Sequence, residues 1–162
     1  MLPVASYTIR ERGATPRGMA KATRAAQKEA WYHTGVQFVA EHADRRFTHA
    51  HASAAGYKKR TEAYTRRKLN LFGHTYPLEY SGQTRLRVRT ANLTSTANGN
   101  RIRFPQARRL NIRNTRAKDP IDMKAEFTRV PQREADELAA YFDGQLDSQL
   151  NDNKTTTETA LS

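Results

Sequence analysis

Apolar residues at helical spacing mark both ends of this chain. Between Pro16 and about Phe47, alanines and aromatic residues recur every three or four positions, and Thr15 is placed to act as the N-cap. A second apolar stripe runs from Gln132 to about Leu150, with acidic residues in its first turns. The pattern therefore predicts a long N-terminal helix and a C-terminal amphipathic helix.

The segment after the first helix predicts a linker and a shorter, basic helix. Residues 49–56 are small, which is typical of a linker, and Gly35 upstream is expected to bend the first helix. A basic helix is expected from Tyr57 to Leu71, within an insert that covers residues 57–72. Gly73 is placed to end this helix.

A loop follows, and alternating residues after it predict a small antiparallel sheet of about four strands. Pro77 and Gly82 are expected to fix the turn in this loop. Over residues 85–90, arginine alternates with apolar residues, and Asn98-Gly99 is a hairpin signal. The other three strands are expected over residues 101–104, 109–113 and 121–130. One face of the sheet would carry Arg85, Arg87, Arg89, Arg101, Arg103, Arg109 and Arg113.

The predicted fold class is therefore α+β, with flexible termini. Residues 1–15 are expected to form an extended N-terminal arm, and residues 16–150 a single domain. Residues 151–162 are polar and low in complexity, which predicts a disordered tail. No apolar run is long enough for a signal peptide or a membrane span, so we expect synthesis and use in the cytosol.

Charge is the most unusual property of the chain. The 162 residues carry a formal net charge of +12, and the charge is unevenly distributed. Residues 1–118 hold 24 Lys and Arg against 6 Asp and Glu, whereas residues 119–162 hold 4 against 10. This asymmetry favours an anionic partner, or head-to-tail contact between copies, over a role in solubility alone.

The residues expected to form the interface are the sheet arginines and the bases of the 57–72 insert. Arginine binds carboxylate and phosphate equally well in bidentate fashion, so DNA and acidic protein both remain possible partners. A solvated sheet face is the alternative explanation. The insert mixes bases with tyrosines, as single-strand binders do, although aromatic residues seven apart more often dock a helix on the body. Its bases are Lys58, Lys59, Arg60, Arg66, Arg67 and Lys68.

Residues for catalysis or metal binding are sparse. There is no cysteine, and the histidines are scattered apart from the pair His49 and His51. No phosphate-binding loop, nucleophile elbow or zinc-protease string occurs. The sequence therefore predicts a non-enzymatic protein without metal or cofactor.

The segment from Gly73 to Arg85 resembles the neck and tail-completion proteins of tailed bacteriophages, and the Mu-type virion morphogenesis proteins. In that family a helix leads into a segment of the form PL-x-x-[ST]-G-x-x-R, which Pro77, Leu78, Ser81, Gly82 and Arg85 match. The segment opens a small sheet, and a C-terminal amphipathic helix closes the domain. The resemblance covers roughly residues 16–150.

The resemblance implies an α+β building block of a ring at the head–tail junction, without an active site. Its partners would be further copies of itself, portal or adaptor proteins and tail proteins, with possible non-specific contact with genomic DNA. The protein would be assembled in the host cytoplasm and located in the virion. The alternative is a free, basic nucleic-acid-binding protein, for which the net charge would neutralise phosphates directly.

Overall fold

The computed structural model describes residues 16–111 and 121–158, and within these ranges the chain is mostly helical. The predicted arm (1–15), Arg113 and residues 159–162 lie outside the described residues. The helices are α1 (Pro16–Gln37), α2 (Ala43–Arg45), α3 (His49–Ala54), α4 (Glu62–Phe72), α5 (Gln83–Val88), α6 (Met123–Thr128) and α7 (Gln132–Glu158). The strands are β1 (Asn92–Thr96) and β2 (Gly99–Arg103). A π-helical turn (Phe38–His42) joins α1 to α2, and Arg108–Asn111 forms a 3₁₀ turn.

The long N-terminal helix is confirmed, and α7 packs along it. The rings of Trp31 on α1 and Phe142 on α7 are 4.3 Å apart between centroids. This contact brings the basic α1 beside the acidic α7, so part of the charge asymmetry is compensated within one molecule. Helix α7 extends to Glu158 rather than Leu150, and so enters the segment predicted to be a disordered tail.

The predicted four-stranded sheet is wrong. Within the described residues the only sheet is the antiparallel hairpin β1–β2, in which Leu93 pairs with Ile102. The hairpin signal at Asn98-Gly99 identified the turn correctly, but its first strand begins at Asn92, after the predicted 85–90 strand has ended.

The 85–90 segment is helical because its buried residues are spaced four apart rather than two. Thr84 and Val88 on α5 are both buried, whereas Leu86 is 62 % exposed. An alternating pattern of only six residues is compatible with a strand repeat of two and with a helical repeat of 3.6. Here the segment is helical, which places Val88 in the core. The matched segment Pro77–Arg85 thus leads into α5, and the hairpin follows it.

The 121–130 segment is helical because Asp122 caps it. The Asp122 side chain accepts a hydrogen bond from the Ala125 amide at 2.9 Å, which satisfies one of the unpaired N–H groups of the first turn of α6. In the predicted 109–113 strand, residues 109–111 belong to the 3₁₀ turn instead, and residues 112 and 113 lie outside the described residues.

The residues predicted as a linker form α3, and the basic helix starts later than predicted. The Thr48 side chain caps α3 by accepting from the His51 amide at 3.2 Å. Thr61 caps α4, which begins at Glu62 rather than Tyr57. Helix α4 ends at Gly73 as predicted, with the left-handed φ of 70° that favours glycine.

The core of the described residues lies between α2, the loop before α5, and α6. Its buried residues come from five stretches of the chain, and Phe38, Tyr57, Phe104 and Met123 pack partly buried around them. The core residues are Ala43, Phe47, Leu78, Val88, Ala107, Leu110 and Phe127.

Gly35 allows the hairpin to approach α1 closely. The Asn100 side chain of β2 donates a hydrogen bond to the Trp31 carbonyl at 2.7 Å. A Cβ added at Gly35 would lie 1.8 Å from Asn100 Nδ2. This glycine was predicted to bend the helix, and in the structure it makes room for the Asn100 amide.

Gly35→Ala is expected to lower the free energy of unfolding by about 1–3 kcal/mol, because the new methyl group displaces the Asn100 amide from Trp31. Urea denaturation checks this result. The matched control is Gly144→Ala on α7, where an added Cβ meets nothing within 4 Å and helix propensity should add about 0.5–1 kcal/mol. Equal gains at the two positions would show that Asn100 does not constrain Gly35.

Candidate binding site

The arginines predicted to share one sheet face are dispersed, and that prediction is wrong. Arg85 on α5 donates from Nε to Asp44 Oδ1 at 2.7 Å, and its Nη2 also bonds to this carboxylate. Arg89 Nη2 lies 3.5 Å from Asp44 Oδ1. The hydrogen bond from Arg85 holds the pKa of Asp44 below its ordinary value and raises the pKa of Arg85. Arg85 and Arg89 are therefore both paired with the carboxylate of Asp44.

The other described arginines of the predicted face lie on three different elements. Arg87 donates to Gln83 Oε1 at 3.0 Å on the same helix. Arg101 and Arg103 are exposed on β2, on either side of the half-buried Ile102, which is the alternation predicted for this strand. Arg109 lies in the 3₁₀ turn, and its guanidinium contacts the ring of Tyr80 in the loop before α5.

Five of the predicted basic residues do come together, around a cavity of about 410 Å³. The cavity lies between the residues that precede α4, the α4 helix, the loop before α5 and the 3₁₀ turn. We call it the cation–tyrosine cavity. Its basic residues are Lys58, Lys59, Arg60, Lys68 and Arg109, and its tyrosines are Tyr64, Tyr76 and Tyr80.

Helix capping positions the α4 side of this cavity. Thr61 is the N-cap of α4, so the helix already includes Tyr64. Tyr64 and Lys68 are four residues apart and therefore lie on the same face of the helix, where both line the cavity. The Lys68 ammonium donates to the Tyr76 carbonyl and lies 5.9 Å from the centre of the Tyr64 ring. Pro77, predicted as a turn residue, lines the cavity.

The turn at the other end of this loop contains two residues with left-handed backbone. Gly82, also predicted as a turn residue, has a φ of 82° and precedes α5. Leu78 has a φ of 56°, a conformation that costs a non-glycine residue free energy, and its side chain is buried in the core. Burial of Leu78 therefore holds the loop that carries Tyr76 and Tyr80.

The cations of the cavity differ in how far their charge is already compensated. Arg60 donates to both oxygens of Glu126, at 3.0 and 2.6 Å. The Arg109 guanidinium carbon lies 4.2 Å from the centre of the Tyr80 ring. Lys58 and Lys59 are exposed. Lys59 therefore presents its charge to solvent without an acidic partner among the described residues.

The inner wall of the cavity contains a buried lysine and a buried glutamate. Lys68 is 3 % exposed, and this burial lowers its pKa to about 8, partly opposed by the charge of Glu79. Glu79 is 3 % exposed as well, and its Oε2 accepts from the Arg85 amide at 3.0 Å. Its other oxygen has no hydrogen-bond donor among the described residues.

The lining of the cavity is aromatic and cationic. Among residues 16–111 and 121–158, no group of three or more histidine and acidic side chains is placed to hold a metal ion. The cavity instead offers aromatic surfaces beside positive charge. Arg66 and Arg67 are exposed on α4 but do not line it.

Sequence reasoning missed several residues of this site. Tyr76, Glu79 and Tyr80 lie within the segment matched to the phage family, in which Pro77 and Gly82 were predicted as turn residues and these three were given no role. The two tyrosines flank Pro77, and this spacing could have indicated an aromatic wall.

A second polar cluster, which no local pattern predicts, lies at the junction of α2, α3 and α7. Arg46 is 0 % exposed, and its guanidinium donates to Glu134 at 2.8 and 3.2 Å. It also donates to the Arg129 carbonyl at 3.0 Å and contacts His51 Nε2 at 2.9 Å. His42 Nδ1 lies 3.4 Å from Glu134 Oε1. We call this set the Arg46 cluster.

His51 is held neutral within the Arg46 cluster. Because the guanidinium can only donate, His51 Nε2 must accept, and the ring proton is then on Nδ1. Burial, together with the charge of Arg46, lowers the pKa of His51 to about 4 from an ordinary 6.5. As the pH falls, His51 is therefore protonated at a higher pH in the unfolded chain than in the folded protein.

Stability is therefore expected to fall as the pH drops from about 6.5 to about 4, and part of this loss is due to His51. The His51 contribution is fully present above pH 6.5, because the folded and unfolded states are both neutral there. His51→Gln keeps an acceptor for Arg46 and cannot titrate, so its stability should decline less steeply over this range. Urea midpoints measured at several pH values check this, with the exposed His49→Gln as control. Parallel pH profiles for the wild type and His51→Gln would contradict the assignment.

Comparison of the chain with protein-family models, with curated proteins and with solved structures finds no match. Of the helices in the described parts of the chain, none combines the length and the apolar character that crossing a bilayer requires.

Proposed function

We propose that this protein is a structural subunit of the head–tail junction of a tailed bacteriophage, where copies of it form a ring. The ring would join the portal or adaptor to the tail proteins of the virion. The subunit would be assembled in the host cytoplasm and would act by binding rather than by catalysis. The resemblance of Gly73–Arg85 to neck and tail-completion proteins suggested this role.

The observation that carries the proposal is that two exposed arginines on α4 and two exposed aspartates on α7 offer opposite charges on separate helices. Arg66 and Arg67 on α4 are exposed and have no acidic partner among the described residues. Asp143 and Asp147 on α7 are exposed and, within the same residues, have no basic partner. Each pair could complement the other on a neighbouring copy, which is the heterologous contact that closes a ring.

Apolar exposure on α4 supports the same contact. Leu69, Leu71 and Phe72 are all at least one-third exposed near the C-terminal end of this helix. Interfaces between subunits combine such apolar residues with a charged rim. Helix α4 is therefore the element we expect a neighbouring copy to cover.

Charge exchange tests this contact. Native mass spectrometry of the purified chain is expected to show oligomers that the pair Arg66→Glu/Arg67→Glu dissociates, and that Asp143→Lys/Asp147→Lys dissociates equally. Combining all four substitutions should restore assembly, because the attraction is then reversed rather than removed. Lys21→Glu, an exposed change on α1, is the control and should leave the oligomers intact.

A chain that stays monomeric under all conditions, and instead binds duplex DNA with a steep salt dependence, would favour the free nucleic-acid-binding alternative. Oligomers that are unaffected by either charge reversal would place the subunit contact elsewhere. The charges on α4 and α7 would then no longer support the proposal.

A further inference from the structure

The cation–tyrosine cavity has the size and lining of a small-molecule site. Its volume of about 410 Å³ falls within the range of protein pockets that enclose organic ligands. Tyr64 and Tyr76 line it and remain partly exposed to solvent, and the ring of Tyr76 stacks on that of His74, 5.2 Å away between centroids. Flat aromatic side chains of this kind stack on flat ligands with little loss of conformational freedom.

The positive charge lies at the exposed side of the cavity. Lys58 and Lys59 precede α4 and are exposed, whereas Arg60 is bound to Glu126 and Arg109 is stacked on Tyr80. Lys59 has no acidic partner among the described residues. An anionic group on a ligand would therefore be attracted to this side of the cavity, with Lys59 as its principal contact.

The buried side of the cavity offers a second anion no net positive charge, because the buried ammonium of Lys68 is balanced there by the carboxylate of Glu79. Glu79 is buried there, and one of its oxygens lacks a donor within the described residues. A ligand charged along its whole length, such as an acidic peptide, would bring negative charge towards this carboxylate. A ligand with one anionic end and an uncharged, flat, polar body meets no such repulsion.

We propose that the cation–tyrosine cavity binds a nucleoside phosphate, with the base against Tyr64 and Tyr76 and the phosphate at Lys59. The nucleotide is either free or one unit of a single strand, since a base inside a duplex is stacked and cannot enter. This binding does not depend on ring formation.

Isothermal titration of the purified full chain with adenosine monophosphate, and with a ten-residue oligothymidylate, tests the proposal. Tyr64→Ala is expected to weaken both ligands about tenfold through the loss of stacking, and Tyr64→Phe to retain binding. Lys59→Gln should weaken both several-fold and reduce the salt dependence of oligonucleotide binding by about one phosphate contact. Lys21→Gln removes the same charge from exposed α1 and should change neither affinity.

Three results would overturn the proposal. Failure of both ligands to bind would exclude it, whatever the oligomeric state. Inorganic phosphate competing as well as adenosine monophosphate would reveal an anion site without base recognition. Binding of the oligonucleotide that is insensitive to Tyr64→Ala and equally weakened by Lys59→Gln and Lys21→Gln would indicate general charge attraction. Binding of the mononucleotide alone, with the tyrosine dependence above, would identify a free nucleotide as the ligand.

Discussion

Glu134→Ala is expected to lower the free energy of unfolding by about 3–5 kcal/mol, because it leaves the fully buried guanidinium of Arg46 without its counter-charge. No alternative carboxylate among the described residues lies within ion-pair distance of Arg46. The Arg129 carbonyl and His51 still accept its hydrogen bonds, but neither carries a negative charge. Urea denaturation at neutral pH, followed by circular dichroism, measures the loss.

Glu137→Ala is the matched control for this experiment. Glu137 lies one turn further along α7, where its carboxylate makes exposed contacts with Arg133 at 3.0 Å and Arg45 at 3.5 Å. Exposed pairs contribute less than about 1 kcal/mol, so this variant should stay close to the wild type. The double change Arg46→Met/Glu134→Leu should recover much of the loss, since it removes both buried charges. Similar small losses for Glu134→Ala and Glu137→Ala would show that Arg46 is not buried as described.

Phe127→Ala is expected to cost about 3–5 kcal/mol, the amount typical of removing a buried aromatic side chain from a core. Phe127 is 3 % exposed, and its ring centre lies 5.2 Å from that of Phe104 and 6.0 Å from that of Phe47. The substitution removes contacts from α6, α2 and the end of the hairpin together. Thermal and urea denaturation check the size of the loss.

Ala125→Glu distinguishes helix from strand at this position. In the strand that the sequence predicted, Ala125 and Phe127 would share the buried face, and a charge at residue 125 would be as damaging as the loss of the ring. In α6 the Ala125 side chain is exposed, so the glutamate should change stability by no more than about 0.5 kcal/mol. A large loss for Ala125→Glu would contradict the helical assignment.

The long helices were predictable because their periodicity extends over many residues. An apolar stripe of twenty residues fits a repeat of 3.6 far better than a repeat of two, and α1 and α7 were placed accordingly. Over six residues the two repeats cannot be told apart, which is why α5 was mistaken for a strand. Asp122 was a cap signal before α6 that the alternation of Met123, Ala125 and Phe127 obscured.

The candidate site was predictable in its chemistry but not in its geometry. The bases of the 57–72 insert were recognised from composition, and four of the six line the cavity. Arg109 joins them only because the 3₁₀ turn folds back to Tyr80, a contact that no local pattern encodes. The same holds for Arg46 and Glu134, which are 88 positions apart in sequence and meet only in the folded protein.

The most direct test of the proposed role is electron microscopy of lysates from a phage that carries a stop codon early in this coding sequence. If the protein is a head–tail junction subunit, DNA-filled heads and finished tails should accumulate unjoined, and supplying the wild-type chain should restore joined particles. Supplying the Arg66→Glu/Arg67→Glu chain should fail to restore them. Normal numbers of complete particles without the protein would contradict the structural role.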